Sequence, residues 1–100
     1  MKTIDVYRLL VGSNNETKKI EVSKAIQVLN KFDVKGFNVR KSLGYWDNEK
    51  ENSFVIEILN TKEIGLSDSK VFEIKKQLEE YLKQFVVLVY KEKVEVLSDG

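Results

Sequence analysis

Two segments of this 100-residue chain are apolar on both of their alternating faces, and they limit the fold more than any other feature. In Thr3 to Val11, the residues Ile4, Val6 and Leu10 fall on one face and Tyr7, Leu9 and Val11 on the other. In Ser53 to Leu59, Phe54, Ile56 and Ile58 oppose Val55, Glu57 and Leu59. A strand with one wet face alternates apolar with polar, so a strand apolar on both sides has cover on both and reads as central in its sheet. Two further strands are predicted. Phe37, Val39, Lys41 and Leu43 alternate with Asn38, Arg40, Ser42 and Gly44, the pattern of a half-exposed edge strand that ends at Tyr45-Trp46. The last strand starts at Phe85 or Val86 and runs to Tyr90. After Lys91-Glu92-Lys93, the stretch Val94 to Leu97 either extends it or folds back as a short extra C-terminal strand.

One-sided helical spacing separates these strands. From Ile20 to Phe32, Val22, Ala25, Ile26, Leu29 and Phe32 follow the i, i+3, i+4, i+7 rule. A second stripe comprises Val71, Ile74, Lys75, Leu78, Tyr81, Leu82 and Phe85, with Ser67 or Asp68 offering the cap. The polar run Asp47 to Asn52 reads as a hairpin connection. The order is therefore βαββαβ, an α+β pattern in one domain spanning residues 1–100. Two central strands and right-handed crossovers leave the antiparallel order 4-1-3-2 with both helices on one face, the two-layer ferredoxin-like sandwich.

If the helices cover Tyr7, Leu9, Phe54, Ile56 and Ile58, the opposite face shows Ile4, Val6, Arg8, Leu10, Val55, Glu57 and Leu59. So apolar a face is expected to be an interface between copies of the chain, with Arg8 paired to Glu57, unless residues 92–97 fold back over it.

The absence of cysteine and histidine removes thiolate nucleophiles, imidazole bases, disulfides and the common transition-metal sites. No Asp-x-Asp-x-Asp-Gly loop occurs, so no metal is expected, and no cofactor is implied. The carboxylates Glu16, Asp47, Glu57 and Glu63 have no spacing that singles them out, and the chain is expected to be non-enzymatic. Leu9-Leu10-Val11 and Phe85 to Tyr90, the longest apolar runs, fall short of the roughly 20 residues of a membrane span. No signal-peptide pattern opens the chain, and a cytoplasmic location is expected. The third strand lacks the basic Gly-aromatic signature of RNA-binding sheets, and the net charge is only +1, which speaks against nucleic acid.

Ligand chemistry is concentrated in two places. Gly12, Ser13, Asn14 and Asn15, followed by Lys18 and Lys19, leave a strand and open a helix, where backbone amides and the positive helix end can hold an anion. The same residues also describe an ordinary Asn-rich turn with a local cap. Tyr45 and Trp46 offer flat rings for a base or partner, or else an aromatic pair capping the core. Arg40 adds a cation, and residues 1–46 carry nine Lys or Arg against four Asp or Glu. The hairpin is expected at the opposite sheet end from the Gly12 loop, so that joining the two takes a neighbouring subunit.

The run Tyr7-Arg8-Leu9-Leu10-Val11-Gly12-Ser13-Asn14-Asn15, with Gly44-Tyr45-Trp46 and an apolar third strand, resembles small uncharacterised ferredoxin-like proteins of phages and mobile elements of Gram-positive bacteria. In architecture the chain is similar to PII-like proteins, which are oligomers that bind nucleotides between subunits. The amide-rich loop, the basic N-terminal half and the clustered aromatics point to a homo-oligomer that binds a small anionic, nucleotide-like ligand through Gly12 to Lys19, Arg40 and Tyr45-Trp46, and a phage origin would make sequestering a signal of host defence its use. The alternative is an inhibitor that binds a host protein through its sheet face or edge strand.

Overall fold

A computed structural model describes residues 2–84 and 86–97, apart from the side chain of Trp46. The chain order is β1 (Lys2–Val11), α1 (Val22–Lys31), β2 (Asn38–Trp46), β3 (Glu49–Asn60), α2 (Asp68–Tyr81) and β4 (Leu88–Val96). The strands form one antiparallel sheet in the order β2-β3-β1-β4, so the two doubly apolar strands are indeed the central pair. This is the ferredoxin-like α+β sandwich expected from the pattern.

Tyr7, Leu9 and Val11 of β1 and Phe54, Ile56 and Ile58 of β3 face the helices and are buried against Ala25, Val28 and Leu29 of α1 and Val71, Ile74 and Leu78 of α2. Each fully buried side chain of this size contributes about 1.5–3 kcal/mol. Val28, outside the expected α1 stripe, joins the core, whereas Tyr81 is exposed and donates its hydroxyl to Gln27 Oε1 at 3.1 Å. Phe85, expected in the α2 stripe and at the start of β4, lies outside the described residues. Ser67 caps α2 by accepting from the Lys70 amide at 3.2 Å. Asp68 instead accepts from the Tyr7 hydroxyl and from Lys91 Nζ at 3.0 Å, tying the helix start to the sheet. Burial first, and then the Asp68 hydrogen bond, push the Tyr7 hydroxyl up to about 12. Among the described residues, no helix is long and apolar enough to cross a membrane.

The structure decides three points of the expected topology, choosing one of two alternatives at the C-terminus and correcting two expectations. β4 is continuous to Val96 and pairs with β1 throughout, from Leu10↔Leu88 to Lys2↔Val96. Residues 94–96 thus extend the strand, one of the two courses expected for them; among the described residues there is no extra strand, and residues 92–96 lie beside β1 instead of covering the open face. The hairpin connection is not six residues long but two, Asp47 and Asn48, at φ of +52° and +65°. Both residue types tolerate the left-handed region, which lets a tight turn follow the strand twist. The third concerns direction. A helix crossover returns the chain to the end of the sheet where β1 began, so β2 runs parallel to β1 and finishes at the same end. Val11, the last residue of β1, pairs with Phe54, and β3 has already run through Glu49–Ser53 beyond that level. The hairpin therefore stands beside the Gly12 loop within one chain, not at the opposite end.

Candidate functional site

Asn14, only 5% exposed, organises the loop between β1 and α1. Its Oδ1 accepts from the amides of Glu16 and Thr17 at 2.8 and 3.1 Å, its carbonyl accepts from the Lys18 amide at 2.8 Å, and its own amide donates to Lys19 O at 2.8 Å. Its Nδ2 donates to Glu21 Oε1 at 2.6 Å. Glu21 is the N-cap residue of α1 and pairs with Lys24 at 2.8 Å. Lys24 first, then Asn14, hold the Glu21 carboxyl below its ordinary range. The positive end of α1 thus already faces a carboxylate of the chain itself.

The remaining amides of the loop are also taken. Gly12 N donates to Gln84 Oε1 at 3.0 Å, Ser13 N to Glu51 Oε1 at 3.4 Å, Asn15 N to Lys83 O at 3.2 Å and Lys19 N to Thr17 Oγ1 at 3.3 Å. Every backbone amide from Gly12 to Lys19 has an acceptor within the chain, which corrects the expectation of a free amide cradle for an anion. Of the two readings of this stretch, the locally capped Asn turn is the one the hydrogen bonds describe.

Gln84 and Glu51 are what bring separate elements together. Gln84 bridges two peptides of the loop, accepting from Gly12 N and donating from Nε2 to Ser13 O. It is delivered by the turn after α2, where Glu79 accepts from Gln84 N through its carbonyl at 2.9 Å and from Val87 N through its carboxylate at 2.8 Å. Lys75 Nζ holds that carboxylate at 2.5 Å. Burial raises the Glu79 carboxyl, but Lys75 and the Val87 amide outweigh it and leave the group below its ordinary range. Glu51 reaches in from β3, and its carboxylate lies against the position a side chain on Gly12 would fill.

Two adjoining clefts meet at Glu51. The larger, about 770 Å³, has Ser13, Asn15 and Lys18 on one side, Glu49 to Asn52 on the second and Gln84 with Val86 on the third. The smaller, about 290 Å³, opens toward the helix-free sheet face between Leu10, Gly12, Gly44, Tyr45 and Leu88. In the larger cleft Lys18 and Lys50 balance Glu49 and Glu51 in charge. The cleft can thus offer a bound molecule a carboxylate, amide groups, two ammonium groups and an apolar patch.

Of the residues expected to bind ligand, Ser13, Asn15 and Lys18 line the larger cleft and Gly12 and Tyr45 the smaller. Asn14 works beneath the loop, and Lys19 lines neither cleft. Arg40 is corrected: it lies on the helix-free face with Nη2 3.4 Å from Glu57, because its register partner is Val55 in mid-sheet. The Trp46 side chain lies outside the described residues. Glu51 and Gln84 were missed by sequence reasoning. Reading Asp47-Asn48 as a two-residue turn would have carried β3 back to Glu49 and placed Glu51 on a strand face; nothing in the sequence marked Gln84.

On the helix-free face, Arg8 Nε meets Glu57 at 2.9 Å as expected, and Nη1 meets Glu92. The guanidinium also lies 5.9 Å from the centre of the Tyr90 ring. Val6, expected on this surface, is closed off at 1% exposure, while Ile4, Leu10, Val55 and Glu57 are half-buried and Leu59 is exposed.

No family model matches the chain. No curated protein matches its sequence. Solved structures do share its fold. A phage SAM lyase in its apo state is 22% identical, covers 91% of this chain and 81% of its own, and superposes with a TM-score of 0.66. The same lyase in complex with S-methyl-5'-thioadenosine gives 22% identity, coverage of 89% and 80%, and a TM-score of 0.62. CPII, a nitrogen regulatory PII-like protein from Thiomonas intermedia K12 bound to ADP, AMP and bicarbonate, is 11% identical, with coverage of 99% and 98% and a TM-score of 0.59. The likeness to PII-like architecture therefore holds at the level of fold. The expectation of a non-enzymatic chain does not stand, since an enzyme, the phage SAM lyase, is built on this fold. The lack of thiol and imidazole narrows the chemistry without closing it, because carboxylates, amides and tyrosines remain as catalytic groups.

Proposed function

We propose that this chain binds an adenosine-bearing sulfonium compound, with S-adenosylmethionine as the type, and cleaves it in the cleft between the Gly12 loop and the β2–β3 hairpin. The observation that carries the reading is the placing of the Glu51 carboxylate where both clefts meet, beside the Gln84 amide and among paired rather than excess charges. A volume of about 770 Å³ suits a nucleoside with a short side chain, the size class of ordinary small-molecule sites. The fold shared with a SAM lyase that binds S-methyl-5'-thioadenosine supports the choice of ligand.

Formation of S-methyl-5'-thioadenosine breaks the bond between sulfur and the amino acid chain, and the bonding pair stays on sulfur, which becomes neutral. The released carbon is closed by the substrate's own carboxylate or loses a neighbouring proton to a base. In this reading Glu51 attracts the positively charged substrate and is the base within reach for the second route, while Gln84, Asn15 and Asn52 orient it. The helix-free sheet face, whose Arg8, Arg40, Glu57 and Glu92 are paired with one another, is proposed as the surface on which copies of the chain pack. Removal of a nucleotide-like signal of host defence is the use such an activity would have in a phage.

The test is incubation of the folded chain with S-adenosylmethionine, following S-methyl-5'-thioadenosine by liquid chromatography, alongside calorimetry with both compounds. Product with wild type and its loss in Glu51→Ala are expected. Heat without product would leave binding and remove the lyase step; neither heat nor product would overturn the whole reading.

A further inference from the structure

We infer that Glu51 sets ligand selectivity, holding the Ser13 amide itself and so turning the cleft against phosphate-bearing adenosine compounds while admitting neutral and cationic ones. The inference rests on the reading of the cleft as an adenosine site and names what that site rejects.

The loop's hydrogen bonds differ in who supplies the acceptor. Asn14 to Lys19 donate to the loop's own atoms or to Lys83 O, and Gly12 N is held by Gln84, which is fixed at both ends of its amide. Ser13 N alone is served by a charged side chain from another strand, and at 3.4 Å this is the longest of the set. Glu51 is exposed, so this is the one amide of the loop that an incoming acceptor can reach by moving a surface side chain instead of unfolding the loop. A phosphate is such an acceptor, but it would meet the carboxylate at the same point and be repelled by it. Lys18 and Lys50 do not offset this, since Glu49 and Glu51 already balance them. Removing the Glu51 charge leaves the cleft with a net positive charge, and Glu51→Ala also frees the Ser13 N–H, the combination that holds phosphate elsewhere. A sulfonium or a neutral thioether has no need of that N–H and gains from, or is indifferent to, the carboxylate. The fold itself does not forbid phosphate, so the exclusion belongs to this side chain.

Calorimetry of wild type, Glu51→Gln and Glu51→Ala with S-methyl-5'-thioadenosine (neutral) and AMP (dianionic) provides the test. Wild type is expected to prefer the neutral compound, and in both variants the affinity for AMP relative to the neutral compound should rise at least about tenfold. Equal affinities in wild type, or AMP binding unmoved in both variants, would overturn the inference and leave adenosine binding intact. A ligand-free measurement separates the two: amide hydrogen exchange at Ser13 should quicken in Glu51→Ala while Asn14 stays protected. Unchanged exchange at Ser13 would overturn the inference even if neither compound bound, a result that on its own would remove the proposed function instead.

Discussion

Replacing Gln84 with Ala takes away two hydrogen bonds to the loop backbone, from Gly12 N at 3.0 Å and to Ser13 O. In a closed core, stranding a donor and an acceptor would cost about 1–3 kcal/mol each. Here Gln84 lines an open cleft, so water can reach the freed groups and the loss falls toward the net worth of two hydrogen bonds, about 2 kcal/mol in all. For a chain of this length that lowers the melting temperature by roughly 8–16 °C. Thermal unfolding followed by circular dichroism, with urea titration to confirm an unchanged m-value, reads the effect. Gln27→Ala is the control, since Gln27 only accepts from the exposed Tyr81 hydroxyl and its loss should stay within about 0.5 kcal/mol. Gln84→Glu keeps the acceptor for Gly12 N but loses the donor to Ser13 O and faces Glu51, so it should be no milder than Ala at neutral pH. A melting temperature that falls by less than about 2 °C in Gln84→Ala would refute the view that this side chain fastens the loop to the α2–β4 turn.

The Tyr7 hydroxyl loses its proton at about 12 in the fold against 10.0 for a free tyrosine. The folded state therefore holds that proton more tightly, so the stability linked to it is complete below pH 10 and is lost between pH 10 and about 12. Tyr7→Phe should flatten this alkaline fall in denaturant titrations across that window. Gly12→Ala places a methyl against Glu51 and Gln84 without backbone strain and should cost about 1 kcal/mol, with faster exchange at the Ser13 amide. Asn48→Gly should raise stability by about 0.5–1 kcal/mol in the same melts, because a left-handed turn position at φ +65° suits glycine better.

The layers of this fold were legible because burial imposes a period. Leu9 and Ile56 could be assigned to a shared face from alternation alone, and both are fully buried there. The same logic fails for side chains whose partners are distant in sequence. Gln84 meets Gly12 across a separation of 72 residues, and no local pattern encodes that. At Asp47-Asn48 the sequence did carry a turn signal, but polarity hid the strand that follows: Glu49 to Asn52 are exposed, so they alternate in direction without alternating in hydropathy. Asn14 shows a third limit. Its residue type fits both an anion loop and a capped turn, and only the positions of its neighbours' amides separate the two. The direction of β2 needed no coordinates; a right-handed crossover already dictates that β1 and β2 end together.

The overhang of β3 beyond β1 gives the hairpin a length that changes only in steps. Each strand advances about 3.4 Å per residue and turns its side chains over at every residue. Adding or removing two residues on both arms between Glu51 and the turn would shift the tip by about 7 Å and leave Glu51 opposite the Gly12 loop, whereas the same insertion between Glu51 and Phe54 would carry its carboxylate about 7 Å along the strand and away from the Ser13 amide. Because Asp47 and Asn48 close the ribbon without help from the core, such changes in steps of two would leave the paired body of the sheet, from Phe54 onward, untouched. Reach and chemistry in this arm are thus separable: paired insertions between Glu51 and the turn vary how far it projects, and the spacing from Glu51 to Phe54 decides whether its acid stays in the cleft.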